Sequence, residues 1–206
     1  SGALAGSSPD TGANWSTGNS HASDGSVLNM SATGARANIG FNFVQGSIYS
    51  LTVDLDVNDS SGNQWLSMGF TSDIGSSANF GSGTEIWMLQ RSENNASADV
   101  QTYHSGTAEN HNLLTFANDG SMMITLDTTN ATDYVATYTR NGVTLRTANV
   151  GTPTITGVFL SNQTTGRFDN FQLTSTAVPE PTAGVLSGLA SLVILARRRR
   201  SEFRSS

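Results

Sequence analysis

In the stretch "IYSLTVDLDV" (residues 48–57), apolar side chains fall on every second position. Tyr49, Leu51, Val53, Leu55 and Val57 share one side, and Ser50, Thr52, Asp54 and Asp56 share the other. Successive side chains of a strand project to opposite faces, so this alternation predicts a half-buried strand, not a helix. Period two sets in at Ala35 and returns in "QWLSMGF", "TEIWMLQ", "ADVQTY", "HNLLTFA", "SMMITLDT", "TDYVATYT", "VTLRTA", "ITGVFLS" and "RFDNFQLT". Asp119-Gly120 and Asn141-Gly142 separate apolar runs and tolerate positive φ, so each predicts a tight antiparallel hairpin. No helix is predicted ahead of Pro181. About ten or eleven short strands joined by turns predict an all-β fold of two antiparallel sheets packed face to face, a sandwich or jelly roll. A closed barrel shares the same periodicity. The predicted sandwich covers residues 25–176 after a loop-rich lead-in over 1–24, with Leu51, Val53, Leu55, Leu66, Met68, Phe70, Ile124, Leu126 and Phe171 in its core.

Composition narrows the chemistry. The 206 residues hold no cysteine, which excludes disulfides and thiolate metal sites. All ten basic residues are arginine, and five of them fall in the last ten positions. Through Thr176 fourteen carboxylates face five arginines, so the body carries a balance of −9 that the overall −6 conceals. An acidic body argues against nucleic acid as a partner, because phosphate backbones need a cationic face.

The C-terminal stretch "VPEPTAGVLSGLASLVILARRRRSEFRSS" reads differently. Thr182 to Ala196 is fifteen residues without a charge. As a helix it spans about 22 Å at ~1.5 Å per residue, short of a bilayer core of ~30 Å. Arg197, Arg198, Arg199 and Arg200 would hold its end in the cytoplasm under the positive-inside rule. The organisation expected is a linker over 177–181, a short apolar helix over 182–196 and an arginine-rich tail over 197–206. Pro179-Glu180-Pro181, the apolar run and the arginine cluster together resemble the PEP-CTERM sorting signal of bacterial surface proteins. That resemblance implies export, transient membrane anchoring, cleavage near the motif by an exosortase-type membrane protease, and delivery to the cell surface or its exopolysaccharide. "SEFRSS" after the arginines is longer than the family usually carries.

The body has a resemblance of its own. "YSLTVDLDV…QWLSMGF", "EIWMLQR", "YTRNGVTL" and "GRFDNFQLT", in that order, resemble concanavalin A-like, laminin-G-type sandwiches. Glycoside hydrolases of this fold place paired carboxylates on one strand as Glu-x-Asp-x-Glu or a close variant. Hydrolysis needs the pair about 5 Å apart, or further for inversion. Here Glu85 is followed by Trp87 and Leu89, so the pair is missing and no catalytic residue is assigned.

Two further constellations stand out. Asp54, Asp56 and Asp59 offer oxygen ligands of the kind calcium takes, against the simpler reading of solvated carboxylates. His21, His104 and His111 show no zinc spacing. If Leu66, Met68, Phe70, Ile86, Met88 and Val100 face the core, then Trp65, Glu85, Trp87, Gln101 and Tyr103 line the opposite side. Rings with acids and amides beside them fit the stacking and hydrogen bonding that a shallow sugar site requires. The competing reading is that both tryptophans are packing residues. Three functions compete on this basis: a non-enzymatic exported passenger, a carbohydrate-binding module contacting polysaccharide, and a hydrolase with an atypical site.

Overall fold

The computed structural model describes residues 2–3, 15–17, 22–23, 27–30, 34–57, 64–77, 85–92, 99–113, 118–163 and 165–178, with only the backbone up to Val27. The chain divides into two compact units, Ser1–Thr176 and Ala177–Ser206. The described residues contain no helix and fifteen strands. These are β1 (Gly2–Ala3), β2 (Trp15–Thr17), β3 (Ala22–Ser23), β4 (Val27–Met30), β5 (Arg36–Gly40), β6 (Ser47–Val57), β7 (Trp65–Thr71), β8 (Ile86–Arg91), β9 (Val100–His104), β10 (Thr107–His111), β11 (Asp119–Asp127), β12 (Val135–Arg140), β13 (Val143–Asn149), β14 (Gly157–Asn162) and β15 (Gly166–Ala177). They form an eight-stranded sheet in the order β1-β3-β4-β15-β6-β11-β12-β13 and a seven-stranded sheet in the order β10-β9-β8-β7-β14-β5-β2. Every recorded pairing between strands is antiparallel.

The alternation of β6 is realised residue by residue. Tyr49, Leu51, Val53, Leu55 and Val57 are buried, and the residues between them are half-exposed. β11 lies beside it with Ile124 across from Leu51 and Met122 across from Val53. The seven-stranded sheet sends Leu66, Met68, Phe70, Ile86, Met88, Val100, Val158 and Leu160 into the same core. Each large apolar side chain removed from water there contributes on the order of 1.5–3 kcal/mol, which holds the two sheets face to face without any covalent link.

Several expectations need correction. Asp119-Gly120 is not a hairpin turn. Both residues lie inside β11, across from Asp56 and Leu55. Glycine is required there because Gly120 has φ +145°, and a Cβ would lie 1.9 Å from Nη1 of Arg140. Asn141-Gly142 is the hairpin, with φ of 49° and 77° between β12 and β13. A second turn of this kind, Ser105-Gly106 (φ 47° and 75°), joins β9 to β10 and had no place in the sequence reading. "HNLLTFA" is not a strand as a whole: His111 ends β10 and Asn112 and Leu113 follow it as irregular chain. Phe171 is only partly buried, and Phe168 takes the core position. Asn170, at φ 50°, shifts the alternation by one residue, so Phe168 is inward before it and Phe171 and Leu173 turn to the core after it. The lead-in holds three short strands, and β2 extends the seven-stranded sheet.

The predicted apolar helix, Pro179, Glu180, Pro181 and Arg197–Arg200 lie outside the described residues. Among the described residues no helix is long and apolar enough to cross a membrane.

Candidate functional site

The seven-stranded sheet has a second face, turned away from the core. Strand register sets its rows. Phe159 of β14 stands across from Gly69 of β7, Gly69 across from Trp87 of β8, Trp87 across from Tyr103 of β9, and Tyr103 across from Ala108 of β10. The next row runs Ser161, Ser67, Leu89, Gln101 and Asn110. Trp65 stands across from Arg91. Trp65, Trp87, Leu89 and Phe159 form an apolar cluster separate from the main core, with Tyr103 packed against it.

Gly69 makes the middle of this face possible. A Cβ there would come within 2.4 Å of the Trp87 Cβ and 2.9 Å of the Phe159 ring. With no side chain at Gly69, the two aromatics close over the strand between them. On its other side Trp87 stacks on Tyr103, ring centroids 3.7 Å apart and 2° from parallel. Tyr103 is half-buried, and its neighbour on β10, Ala108, is exposed and carries only a methyl group.

A polar rim borders the stack. The Tyr103 hydroxyl donates to Gln101 Oε1 at 2.8 Å, and Arg91 Nη2 donates to the same oxygen at 2.6 Å. Gln101 Nε2 donates in turn to Asn110 Oδ1. Burial pushes the Tyr103 phenol above its ordinary pKa, and the Arg91 charge opposes that shift. Tyr103 is therefore a neutral donor at physiological pH.

At the β5 end the face carries a buried ion pair. Arg36 Nη2 lies 2.9 Å from Glu85 Oε1 and donates to Thr71 Oγ1 at 2.8 Å, while its Nε donates to Asn38 Oδ1 at 2.7 Å. The Thr71 hydroxyl also donates to Glu85 Oε1. The guanidinium lies over the Phe159 ring, 3.9 Å from its centroid.

All five predicted contact residues thus share one sheet face, but they do not form a single patch. Gln101, Trp87 and Tyr103 form a contiguous patch with Arg91 and Asn110. Glu85 is held by Arg36, and Trp65 sits beside Arg91. The face is not the open platform the alternation implied: Trp65 is 2%, Trp87 4%, Glu85 4% and Gln101 9% exposed. The partly buried elements are Tyr103 and Arg91, and Asn110 is exposed. Sequence reasoning missed Arg36, Arg91 and Asn110. A signal existed for Arg36, since "RANIG" alternates Arg36 and Asn38 with Ala37 and Ile39.

The aspartates lie elsewhere, on the outer face of the eight-stranded sheet. Asp54 and Asp56 line an open groove of about 550 Å³ together with Asp119, Asp169 and Arg167. Asp56 Oδ2 accepts from Arg167 Nη2 and Nε at 2.6 and 3.1 Å, and Asp54 Oδ2 accepts from Asn170 Nδ2 at 2.7 Å. Asp59 lies outside the described residues. Among the described residues no three or more histidines or carboxylates are gathered in a way that could hold a metal ion.

No protein-family model and no curated protein matches this chain. Solved structures do share its fold. The carbohydrate-binding module CBM66 from Bacillus subtilis is 13% identical, with 77% of this chain and 94% of that chain covered and a TM-score of 0.50. The carbohydrate recognition domain of Emp46p in its potassium-bound form is 8% identical, with coverages of 81% and 89% and a TM-score of 0.52. That of Emp47p is 10% identical, with coverages of 83% and 90% and a TM-score of 0.52. Identities this low establish the fold alone: an all-β, lectin-like sandwich of two antiparallel sheets.

Proposed function

We propose that this protein is a carbohydrate-binding sandwich that takes its ligand where β8, β9 and β10 present the outer face of the seven-stranded sheet. The observation that carries the reading is the Trp87–Tyr103 stack bordered by Gln101, Arg91 and Asn110. A sugar ring offers C–H faces to an aromatic ring and hydroxyls to amides, and a few fixed polar groups beside an apolar surface set its orientation. The like-folded proteins named above are themselves carbohydrate-binding domains, which supports the same use of this sandwich. Glu85 supports binding without hydrolysis. Its carboxylate is engaged by Arg36 and Thr71, and the positions two and four residues on are Trp87 and Leu89. A glycan-array screen of the full chain, run with and without calcium, tests the proposal. Selective binding to a subset of glycans is expected, and binding to none overturns it. Loss of that binding without calcium would bring the aspartate groove into the account.

The C-terminal stretch supports a second element of the reading: an exported passenger, held briefly in the membrane and released by an exosortase-type protease. Pro179 and Pro181 each fix φ and bias the preceding residue away from the α region, which keeps the junction extended for a protease. The mature protein then ends near Pro181 and resides at the cell surface or in the exopolysaccharide. Intact-mass measurement of surface-extracted protein tests this. A mass that retains Thr182 to Arg200 contradicts it.

A further inference from the structure

Resting on the carbohydrate-binding reading, we infer that the site selects acidic sugars, with Arg91 as the residue that recognises a hexuronate carboxylate. Arg91 differs from the other cations of the body in its surroundings: Arg140 is 3% exposed and donates to Gln90 and to the Asp119 carbonyl, whereas Arg91 is only partly buried. Arg36, Arg146 and Arg167 each pair with a carboxylate, namely Glu85, Glu109 and Asp56. Among the described residues Arg91 has no carboxylate within ion-pair distance. Its Nε is also buried with no hydrogen-bond partner among them. A guanidinium carries five N–H donors in a planar fork matched to a carboxylate. Here one arm is engaged by Gln101 Oε1 at 2.6 Å, which fixes the fork in place. The buried Nε is out of a ligand's reach, so an anionic acceptor would meet the terminal Nη donors of this oriented, partly buried residue.

Position supplies the rest. The oxygen that takes the Arg91 hydrogen bond also takes one from the Tyr103 hydroxyl at 2.8 Å. The guanidinium therefore borders the ring on which a sugar would stack. The second face of that ring looks toward exposed Ala108, where a pyranose meets only a methyl group. Asn110, joined to Gln101, is placed for the sugar hydroxyls. A stacked pyranose bearing a C6 carboxylate would set that group at the polar rim, beside Arg91 and the Tyr103 hydroxyl. The body's balance of −9 opposes a polyanion at long range. A polyanion gains nothing from the overall field, so its recognition depends on a cation within a Debye length of ~8 Å.

The test uses the full chain and pairs of oligosaccharides: oligomers of galacturonate, glucuronate and mannuronate, each beside the same oligomer with its carboxylates reduced to alcohols. The acid form of at least one pair should bind about tenfold or more tighter than its reduced form, as expected for a hydrogen bond to a charged group. Arg91→Gln should erase that difference by weakening the acid form far more than the reduced one, while Tyr103→Ala weakens both forms alike. The acid preference should also shrink as salt is raised. Equal binding of acid and reduced forms by the unaltered protein overturns the inference, even if Arg91→Gln misfolds, and leaves the carbohydrate reading standing. Binding to neither set, together with a blank glycan array, overturns both.

Discussion

Trp87 and Tyr103 stand directly across from each other on neighbouring strands, their rings parallel to within 2° and 3.7 Å apart. Each ring shields one face of the other. Trp87 is thereby withdrawn from solvent, and Tyr103 is left as the aromatic surface at the sheet edge. The pair is both a packing unit and a platform, and the two roles separate experimentally.

Tyr103→Ala should remove the platform while sparing the main core, to which Tyr103 does not belong. Glycan affinity should fall about tenfold or more, equivalent to on the order of 1.4 kcal/mol. The far-ultraviolet circular dichroism spectrum should stay that of the unaltered protein. Unchanged affinity would move the binding site elsewhere on the molecule.

Much of this fold is legible in the sequence because the side-chain period of a strand is short and local. The burial of Leu51, Val53 and Leu55 and the shared face of Trp65, Trp87 and Tyr103 follow from parity alone. What parity cannot carry is contact between distant segments. Arg36 and Glu85 are 49 residues apart, and nothing near either one announces the other. Gly120 looked like a turn residue, but it lies inside β11 across from Leu55, with Arg140, twenty positions away, filling the space a Cβ would take. Asn170 reverses the alternation in a strand whose composition shows no break, which misplaced Phe171. The candidate face was legible as a set of residues, and its burial was not: parity does not show that Trp87 stacks on Tyr103 or that Arg36 lies over Phe159.

Glu85→Gln should be strongly destabilising. Arg36 and Glu85 are 1% and 4% exposed, and removing one charge of a buried pair costs about 3–5 kcal/mol because the other keeps its desolvation penalty. The double variant Arg36→Met/Glu85→Leu should recover much of that loss. Urea denaturation measures both. A loss below about 1 kcal/mol for the single variant, the range of exposed pairs, would mean that water reaches the pair.

Gly69→Ala should cost about 1–3 kcal/mol, the usual range for forcing extra volume into packed structure. The added methyl meets the Trp87 Cβ at 2.4 Å and the Ile86 carbonyl oxygen at 2.6 Å, neither of which is the end of a flexible side chain. Glycan affinity should fall as well, because Trp87 sets the position of Tyr103. A thermal melt matching the unaltered protein would contradict the close packing of this row.

Acid should weaken the β9–β10 edge. Arg146 Nη2 donates to His104 Nε2 at 2.6 Å, which requires a neutral ring, and His111 Nε2 lies 3.0 Å from the Thr102 hydroxyl. Burial, reinforced by Arg146 and opposed by Glu109, holds both histidines below the ordinary value of 6.5. The unfolded chain therefore binds protons more readily than the folded one. The stabilisation these rings contribute is complete above about pH 6.5 and declines as pH falls through it toward the lower folded values. Melting temperatures of the unaltered protein and of His104→Gln/His111→Gln, compared between pH 7.5 and 5, should show a steeper decline for the unaltered protein. Parallel declines would contradict the assignment.

The central claim is that the Trp87–Tyr103 end of the outer face binds glycan. A titration of ¹⁵N-labelled protein with a glycan selected on the array, followed by amide and indole resonances, tests it most directly. The account predicts saturable shifts concentrated at Trp87, Gln101, Tyr103, Ala108 and Asn110, with Asp54, Asp56 and Asp119 unmoved. Shifts centred on the aspartate groove, with Tyr103 and Trp87 unchanged, would contradict it.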